Sequence, residues 1–135
     1  MIQPSEEAGR RTIPVVLVVD DDEYIHAALA AAMRSLRPEI LRATTAAAGL
    51  RLAIEREPDL AIIDLGLPDT DGYSLTRRIR AIAGLDGTRI LILTGHQPDQ
   101  VAATAAGADA ILAKPFRLNE FLATIDEVLK VASSP

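Results

Sequence analysis

The sequence predicts an α/β fold in which helices cover both faces of a parallel sheet. Short apolar runs alternate with amphipathic stretches along nearly the whole chain, which is typical of repeated βα units. The apolar runs are almost uninterrupted by polar residues, as expected for strands that are buried on both faces. A chain of 135 residues has room for one such domain and not for a second.

The alternation predicts five strands, each followed by a helix. The predicted strands are IPVVLVV (13–19), EILRAT (39–44), DLAIID (59–64), RILILT (89–94) and DAILA (109–113). Residues 1–12 and 132–135 lack periodicity and are predicted to be frayed tails, which leaves 13–131 as the domain.

Apolar residues at helical spacing predict one buried stripe on most of the helices. The stripes are Ile25, Leu29, Met33 and Leu36 on the first helix, Leu50 and Ile54 on the second, Leu75, Ile79 and Ile82 on the third, and Leu118, Leu122, Ile125 and Leu129 on the last. The fourth helix, over 98–106, differs. Pro98 suits a helix start, Val101 is its only sizeable apolar anchor, and Gly107 suits a C-terminal stop. We expect this helix to be short and weakly held.

Composition excludes several classes of protein. No apolar run approaches the ~18 residues of a membrane span, and the N-terminus has acids where a signal peptide would be apolar, so the sequence predicts a cytoplasmic protein without membrane contact. The absence of cysteine excludes disulfides, thiolate metal sites and thiol nucleophiles. A net charge of −5 with only two lysines argues against a nucleic-acid groove in this chain.

Polar residues collect where the predicted strands end. Asp20 and Asp21 follow the first strand, Asp64 ends the third, Thr94 ends the fourth, and Lys114 follows the fifth. In an open α/β sheet the ligand lies at the carboxyl ends of the strands, so these five groups are predicted to meet at one edge. An Asp after a strand is more often a helix N-cap, and a Thr there is usually an ordinary strand residue, so the prediction rests on the set as a whole.

An acidic cluster at this edge requires a compensating charge. Two carboxylates ~4 Å apart repel by roughly 4 kcal/mol at an effective dielectric constant of ~20. Asp20, Asp21 and Asp64 therefore predict a site for a hard divalent cation such as Mg²⁺, while Asp22 is predicted to cap the first helix. A carboxylate beside a bound cation can attack a phosphoryl group, and a lysine and a hydroxyl can hold the phosphoryl oxygens. The residues thus indicate a phosphoacceptor site.

Four motifs in order resemble the response-regulator receiver domain of two-component signalling. They are VVLVVDD (15–21), PDLAIIDLGLPDTDGYSL (58–75), ILILTG (90–95) and GADAILAKPF (107–116). The resemblance covers about residues 13–131. It implies a flavodoxin-like, doubly wound (βα)5 fold with a five-stranded parallel sheet in the order 2-1-3-4-5.

The resemblance also implies a role for each residue of the site. Asp64 would carry the phosphoryl group, and Thr94 and Lys114 would contact it. The metal, Mg²⁺ with Mn²⁺ as a substitute, would be held by three carboxylates and a backbone carbonyl: Asp20, Asp21, Asp64 and Gly66. The bond between Lys114 and Pro115 would be cis.

These roles imply a phosphoprotein that acts as a switch or relay rather than a turnover enzyme. It would take phosphate from a sensor histidine kinase or a histidine phosphotransfer protein, promote its own phosphorylation and autodephosphorylation, and signal to a downstream protein through the face formed by 95–116. Two alternatives stay open: a phosphorylation-independent interaction module, and a Mg²⁺-dependent aspartyl-phosphate phosphatase. The phosphatase would need a further acid or base and a cap over the site, and the sequence offers neither.

Three residues near the motifs need separate interpretation. Ile111 stands where receivers commonly carry an aromatic residue, which places the usual readout of phosphorylation in question. His96, two residues after Thr94, is interpreted as a solvated loop histidine or as a residue that influences water access to an aspartyl phosphate. His26, on the first helix, is interpreted as structural or solvated, and neither histidine as a phosphotransfer residue.

Overall fold

The computed structural model describes residues 13–133, which form five strands and five α-helices in alternation. The strands are β1 (Val15–Val19), β2 (Glu39–Ala43), β3 (Leu60–Asp64), β4 (Arg89–Thr94) and β5 (Ala110–Ala113). The helices are α1 (Glu23–Ala32), α2 (Ala46–Arg56), α3 (Gly72–Arg80), α4 (Gln100–Ala106) and α5 (Leu118–Ser133), and a 3₁₀ turn at Arg34–Leu36 follows α1. The predicted tail at 1–12 lies outside the described residues, whereas α5 continues two residues into the predicted tail at 132–135.

All five strands are parallel and lie in the order β2-β1-β3-β4-β5, which confirms the predicted doubly wound sheet. The order reverses between β1 and β3, and a crevice for ligands forms at such a reversal. The register brings the carboxyl ends of the strands level: Asp64 pairs with Leu93, and the next residue of β4, Thr94, pairs with Ala113. Groups at these ends therefore share one edge.

Alternate residues of each central strand pack into two separate cores. Leu17 and Val19 lie in a cluster with α2, α3 and α4, whereas Val16 and Val18 lie in a cluster with α1 and α5. Both sides of the sheet are thus covered, as the uninterrupted apolar runs predicted. None of the described helices has the length and hydropathy needed to cross a membrane.

The predicted stripe on α2 is wrong at Ile54, which is 52% exposed. The buried residues of α2 are small: Ala46, Gly49 and Ala53. A β-carbon at Gly49 would lie only 2.7 Å from a methyl carbon of Val19, so α2 approaches the sheet more closely than a larger side chain would permit. The larger residues of this helix therefore lie at the margin of its contact with the sheet.

Two other predicted stripes are wrong at their ends. Leu36 falls in the 3₁₀ turn and is 39% exposed, and Leu118 in the first turn of α5 is 58% exposed. The face of α5 that enters the core carries Phe121, Ile125 and Val128. Periodicity placed Ile125 correctly but missed Phe121, which is fully buried and stacks on Phe116 with ring centroids 5.0 Å apart.

Helix α4 is short, as predicted, but its predicted anchor and start are wrong. It begins at Gln100 after Asp99, whose carboxylate accepts a hydrogen bond from the Ala102 N–H at 3.0 Å. Val101 is 80% exposed, and the helix is buried through Ala103 and Ala106 instead. Gly107 ends the helix as predicted, with a φ of +103° that favours glycine.

The C-terminal end of α4 is held by Arg80, the last residue of α3. Its guanidinium donates to the backbone oxygens of Gly107 at 2.8 Å and Thr88 at 2.7 Å, and to the Asp109 carboxylate at 3.0 Å. Asp109 also accepts the N–H of Ile90 at 2.8 Å. These contacts join α3, β4 and the turn before β5 and fix the C-terminal end of α4, whereas Gln100 and Val101 at its start are exposed.

Candidate functional site

The residues predicted to form the site lie at the carboxyl edge of the sheet. Asp20 follows β1, Asp64 ends β3, Thr94 ends β4 and Lys114 follows β5. The side chains of Asp20, Asp64 and Thr94 are buried, at 2%, 7% and 1% residue exposure, whereas Asp21 is exposed. The site is thus an acidic recess that is buried at Asp20 and Asp64 and exposed at Asp21.

Three carboxylates and one ammonium group converge in this recess. One oxygen from each of Asp20, Asp21 and Asp64 lies within 4.8 Å of the others. The Lys114 Nζ donates a hydrogen bond to Asp64 Oδ1 at 2.8 Å and lies 3.6 Å from Asp20 Oδ2. The ammonium group therefore bridges the two buried acids and offsets part of their mutual repulsion.

Burial and charge shift the titration of this group in a consistent way. Burial raises the pKa of Asp20, and the neighbouring charges of Asp64 and Asp21 raise it further, against lowering by a hydrogen bond from the Asp22 N–H and by Lys114. Burial lowers the pKa of Lys114, but the hydrogen bond and negative charge of Asp64 outweigh this, so that its pKa is raised. The acids are held close together at an electrostatic cost.

The unsatisfied oxygen of Asp20 fits a cation. Its Oδ1 accepts the Asp22 N–H at 2.9 Å, whereas its buried Oδ2 accepts no hydrogen bond among the described residues. A buried carboxylate oxygen without a donor is unfavourable, and a hard cation would satisfy it together with the oxygens of Asp21 and Asp64. The donor set of this chain therefore suits a metal ion that prefers carboxylate oxygens.

The β3–α3 loop passes close over the end of β3. The Gly72 N–H donates to the Leu65 oxygen at 2.8 Å, and Gly66 and Asp71 form an isolated bridge. A β-carbon at Gly72 would lie 2.7 Å from the Asp64 backbone oxygen, so this approach requires glycine. The exposed Gly66, predicted to offer its carbonyl to the metal, follows Asp64 by two residues in this loop.

Asp69 is a functional candidate that the sequence prediction missed. Its two carboxylate oxygens accept the N–H groups of Ala46 at 2.8 Å and Ala47 at 3.0 Å, at the start of α2. These hydrogen bonds lower the pKa of Asp69. They tie the loop that carries Gly66 to a helix 23 residues earlier in the chain, and no local sequence pattern signals a contact of this range.

Thr94 and Asp22 each accept a backbone hydrogen bond near this edge. The Thr94 Oγ1 accepts the His96 N–H at 3.1 Å, and His96 itself is exposed. The peptide bond between Lys114 and Pro115 is cis, as the resemblance implied. Asp22 caps α1 as predicted, since its carboxylate accepts the N–H of Tyr24 at 2.9 Å.

Comparison with known proteins decides which family has this combination of sheet order and site. The family model described as the response regulator receiver domain matches residues 16–126. The chain belongs to this family. Receiver domains are signalling switches of two-component systems, and their structures share the CheY-like, flavodoxin-like fold seen here.

Curated relatives support this assignment. The chain is 37% identical over 119 residues to the transcriptional regulatory protein PrrA of Mycobacterium tuberculosis, covering 88% of this chain and 51% of the relative. It is 36% identical over 115 residues to KdpE of Escherichia coli, covering 85% of this chain and 51% of that protein. The chain thus spans about half the length of the curated relatives it matches.

Solved structures agree with the fold. The CheY-like receiver domain protein of Methanospirillum hungatei has a TM-score of 0.82 and 28% identity, over 90% of this chain and 97% of its own. The receiver domain of the Pseudomonas aeruginosa sensor histidine kinase PA1611 has a TM-score of 0.78 and 29% identity, over 88% and 99% of the two chains. That structure has a magnesium ion coordinated in its active site cleft.

Proposed function

We propose that this receiver domain takes a phosphoryl group onto Asp64 from a sensor histidine kinase or a histidine phosphotransfer protein. The reaction requires Mg²⁺, or Mn²⁺ as a substitute, and the domain then acts as a cytoplasmic switch or relay. The observation that carries the proposal is the convergence of Asp20, Asp21 and Asp64 with Lys114 at the carboxyl edge of the sheet. A structural scaffold has no physical need for buried acids that repel one another.

The geometry supports Asp64 as the nucleophile. Its Oδ1 accepts the Lys114 hydrogen bond at 2.8 Å. Its Oδ2 lies beside Gly66, because a β-carbon added to that glycine would be 3.7 Å from this oxygen. Oδ2 is therefore the oxygen offered to phosphorus. Its attack forms the O–P bond and breaks the N–P bond of the phosphohistidine donor, whose imidazole leaves with the electron pair.

The other residues of the site would bind the group that is transferred. A bound divalent cation would neutralise charge on the phosphoryl oxygens, and Asp20, Asp21, Asp64 and the Gly66 carbonyl would hold it. The Lys114 ammonium is placed to pair with a phosphoryl oxygen. The Thr94 hydroxyl oxygen accepts a hydrogen bond from the His96 N–H, and the hydroxyl proton is available for donation to a second phosphoryl oxygen.

The exposed side of the recess sets the fate of the phosphoryl group. Gly66 has no side chain to cover Asp64, so water reaches the acyl phosphate and hydrolyses it. We propose that a downstream protein reads the phosphorylated state through the face formed by 95–116, which begins directly after Thr94. The relatives PrrA and KdpE are named as transcriptional regulatory proteins, and a transcriptional output is proposed for a protein that carries this domain.

Labelling with acetyl phosphate tests the proposal. Incubation with this donor and Mg²⁺ should add one phosphoryl group by intact mass, and the addition should fail in EDTA. Asp64→Asn should abolish labelling, whereas Asp86→Asn, which changes an exposed acid in the α3–β4 loop, should leave it unchanged. Equal labelling of Asp64→Asn and the parent would disprove the assignment. An unlabelled parent, under conditions that label a known receiver, would favour the interaction module.

A further inference from the structure

A buried histidine lies directly behind the acidic recess. His26, in α1, is 2% exposed, and its Nε2 is 2.7 Å from the backbone oxygen of Asp20. A carbonyl oxygen can only accept a hydrogen bond, so Nε2 carries a proton and donates it. The His26 side chain thus links α1 to the main chain of Asp20, the residue that follows β1.

The Asp20 carbonyl needs this donor because no backbone N–H of residues 13–133 donates to it. Asp20 lies between β1 and α1, and its own N–H donates to the Ala43 oxygen at 3.0 Å. Its carbonyl lies two residues before the N-cap Asp22, outside the helical hydrogen bonds of α1, and the N–H of Tyr24 donates to the Asp22 carboxylate at 2.9 Å. The imidazole of His26 therefore satisfies a buried carbonyl that would otherwise be unpaired.

Three hydrogen bonds consequently fix the orientation of Asp20. Its N–H is held by Ala43, its carbonyl by His26 and its Oδ1 by the Asp22 N–H. With these three groups fixed, Oδ2 is left without a donor and aimed toward Lys114, at 3.6 Å. The position of the cation-binding oxygen is thus set partly by a residue that does not touch the recess.

We propose that His26 is a positioning residue of the phosphoacceptor site, which orients Asp20 for binding of the divalent cation. The inference rests on the proposed function, since it takes Asp20 as a metal ligand. Groups that orient metal ligands without touching the metal commonly change metal affinity by 10–100-fold, and His26 acts through the main chain, so about tenfold is expected.

The second ring nitrogen of His26 separates this role from a merely structural one. Nδ1 is buried and has no hydrogen-bond partner among the described residues. A polar nitrogen left unpaired in the core destabilises the fold, so an apolar side chain of similar size would remove one unfavourable feature. A purely structural role therefore predicts that an apolar replacement keeps the affinity for Mg²⁺, whereas the positioning role predicts that the affinity falls.

Four variants of the full chain test the inference. His26→Leu and His26→Met both remove the donor, and the flexible methionine adapts to the site if leucine does not fit. His26→Gln places an amide nitrogen as many bonds from the backbone as Nε2 and should restore donation. Leu29→Ala is the matched control, because Leu29 is fully buried one turn later in α1 and its truncation destabilises the fold without removing a hydrogen bond of Asp20.

Mg²⁺ affinity is measured by calorimetric titration, and unfolding midpoints are recorded in parallel. We expect about tenfold weaker Mg²⁺ binding in His26→Leu and His26→Met, binding within about twofold of the parent in His26→Gln, and parental binding in Leu29→Ala despite its lower midpoint. In His26→Leu and His26→Met, labelling by acetyl phosphate should fall below that of the parent at low Mg²⁺ concentration and recover at high Mg²⁺ concentration.

Two results would overturn the inference while the proposed function stands. The first is a Mg²⁺ affinity equal to that of the parent in a folded His26→Leu or His26→Met variant. The second is a loss of Mg²⁺ affinity in Leu29→Ala as large as that in the His26 variants. A parent that binds no Mg²⁺ would instead reject the proposed function, and the inference with it.

Discussion

Replacement of Asp20 by asparagine should stabilise the metal-free domain. Asp20 is 2% exposed, and its carboxylate lies within 4.8 Å of oxygens of both Asp21 and Asp64. At an effective dielectric constant of ~20 and this limiting separation of 4.8 Å, each pair repels by at least about 3.5 kcal/mol, whereas Lys114 at 3.6 Å attracts by about 4.6 kcal/mol. The two repulsions exceed the attraction by roughly 2 kcal/mol, and solvent around the exposed Asp21 reduces this to about 1–2 kcal/mol.

Thermal unfolding in EDTA and in Mg²⁺ measures this effect. Asparagine keeps an oxygen for the Asp22 N–H, so the free energy of unfolding in EDTA should rise by about 1–2 kcal/mol and the midpoint by about 5 °C. Mg²⁺ should stabilise the parent by mass action and leave Asp20→Asn almost unaffected. The exposed variant Asp86→Asn serves as the control. A midpoint in EDTA below that of the parent would refute the reasoning.

The pH dependence provides an independent check. The pKa of Asp20 is raised in the folded state, so the folded protein takes up this proton at a higher pH than the unfolded chain. The destabilising effect of the carboxylate is therefore present at neutral pH and disappears as the pH falls through the folded-state value toward 3.8. The advantage of Asp20→Asn should shrink over the same range, and an advantage that is constant from neutral pH down to about pH 4 would contradict this account.

Three further substitutions have defined outcomes. Asp21→Ala should remove most of the rise in midpoint that Mg²⁺ produces, and an unchanged rise would place the cation elsewhere. Because the pKa of Lys114 is raised, its charge stabilises the fold fully below pH 10.5, and this stabilisation is lost as the pH rises through the folded-state pKa. Lys114→Met should therefore lack this loss of stability at alkaline pH in unfolding titrations. Arg80→Met should lower the free energy of unfolding by roughly 2–3 kcal/mol, because the Asp109 carboxylate and three backbone carbonyls lose a charged donor. The exposed Arg78→Met should change it little, and equal effects in urea denaturation would disprove the role of Arg80.

The sequence was informative about the site because the position of the site follows from topology. Once strands end at Asp64 and Thr94 in a parallel sheet, both residues must lie at one edge, whatever the details of packing. The same reasoning could not find Asp69, whose contact with Ala46 depends on where a loop meets a distant helix. Hydropathy also could not show that α2 packs on the sheet through its small residues and leaves Ile54 half exposed. How closely a helix approaches a sheet depends on the size of the side chains between them, which hydropathy does not describe.

Two features restrict movement of the C-terminal part of α4: an isoleucine in place of an aromatic residue at position 111, and the contacts of Arg80. Ile111 is 7% exposed, pairs with Ile92 on β4 and packs in one cluster with Ala103 of α4. We expect Thr94 to shift toward a bound phosphoryl group. A β-branched side chain is stiff about its first torsion, so the short Ile111 side chain cannot swing into the space that Thr94 would leave. Arg80 meanwhile holds the C-terminal end of α4 through the Gly107 oxygen.

A shift of Thr94 toward a phosphoryl group should therefore be expressed in the loop after β4 and at the start of α4. We expect amide chemical shifts on addition of the phosphoryl mimic beryllofluoride to change mainly over 95–102, with small changes over 107–113. The weakly held end of an element opens and moves at the lowest free energy, so a population shift is expressed there. Arg80→Met should spread the changes to Gly107, since it frees the opposite end of α4. Changes centred on 109–113 and absent from 95–102 would show that β5 carries the signal and that Ile111 does not restrict it.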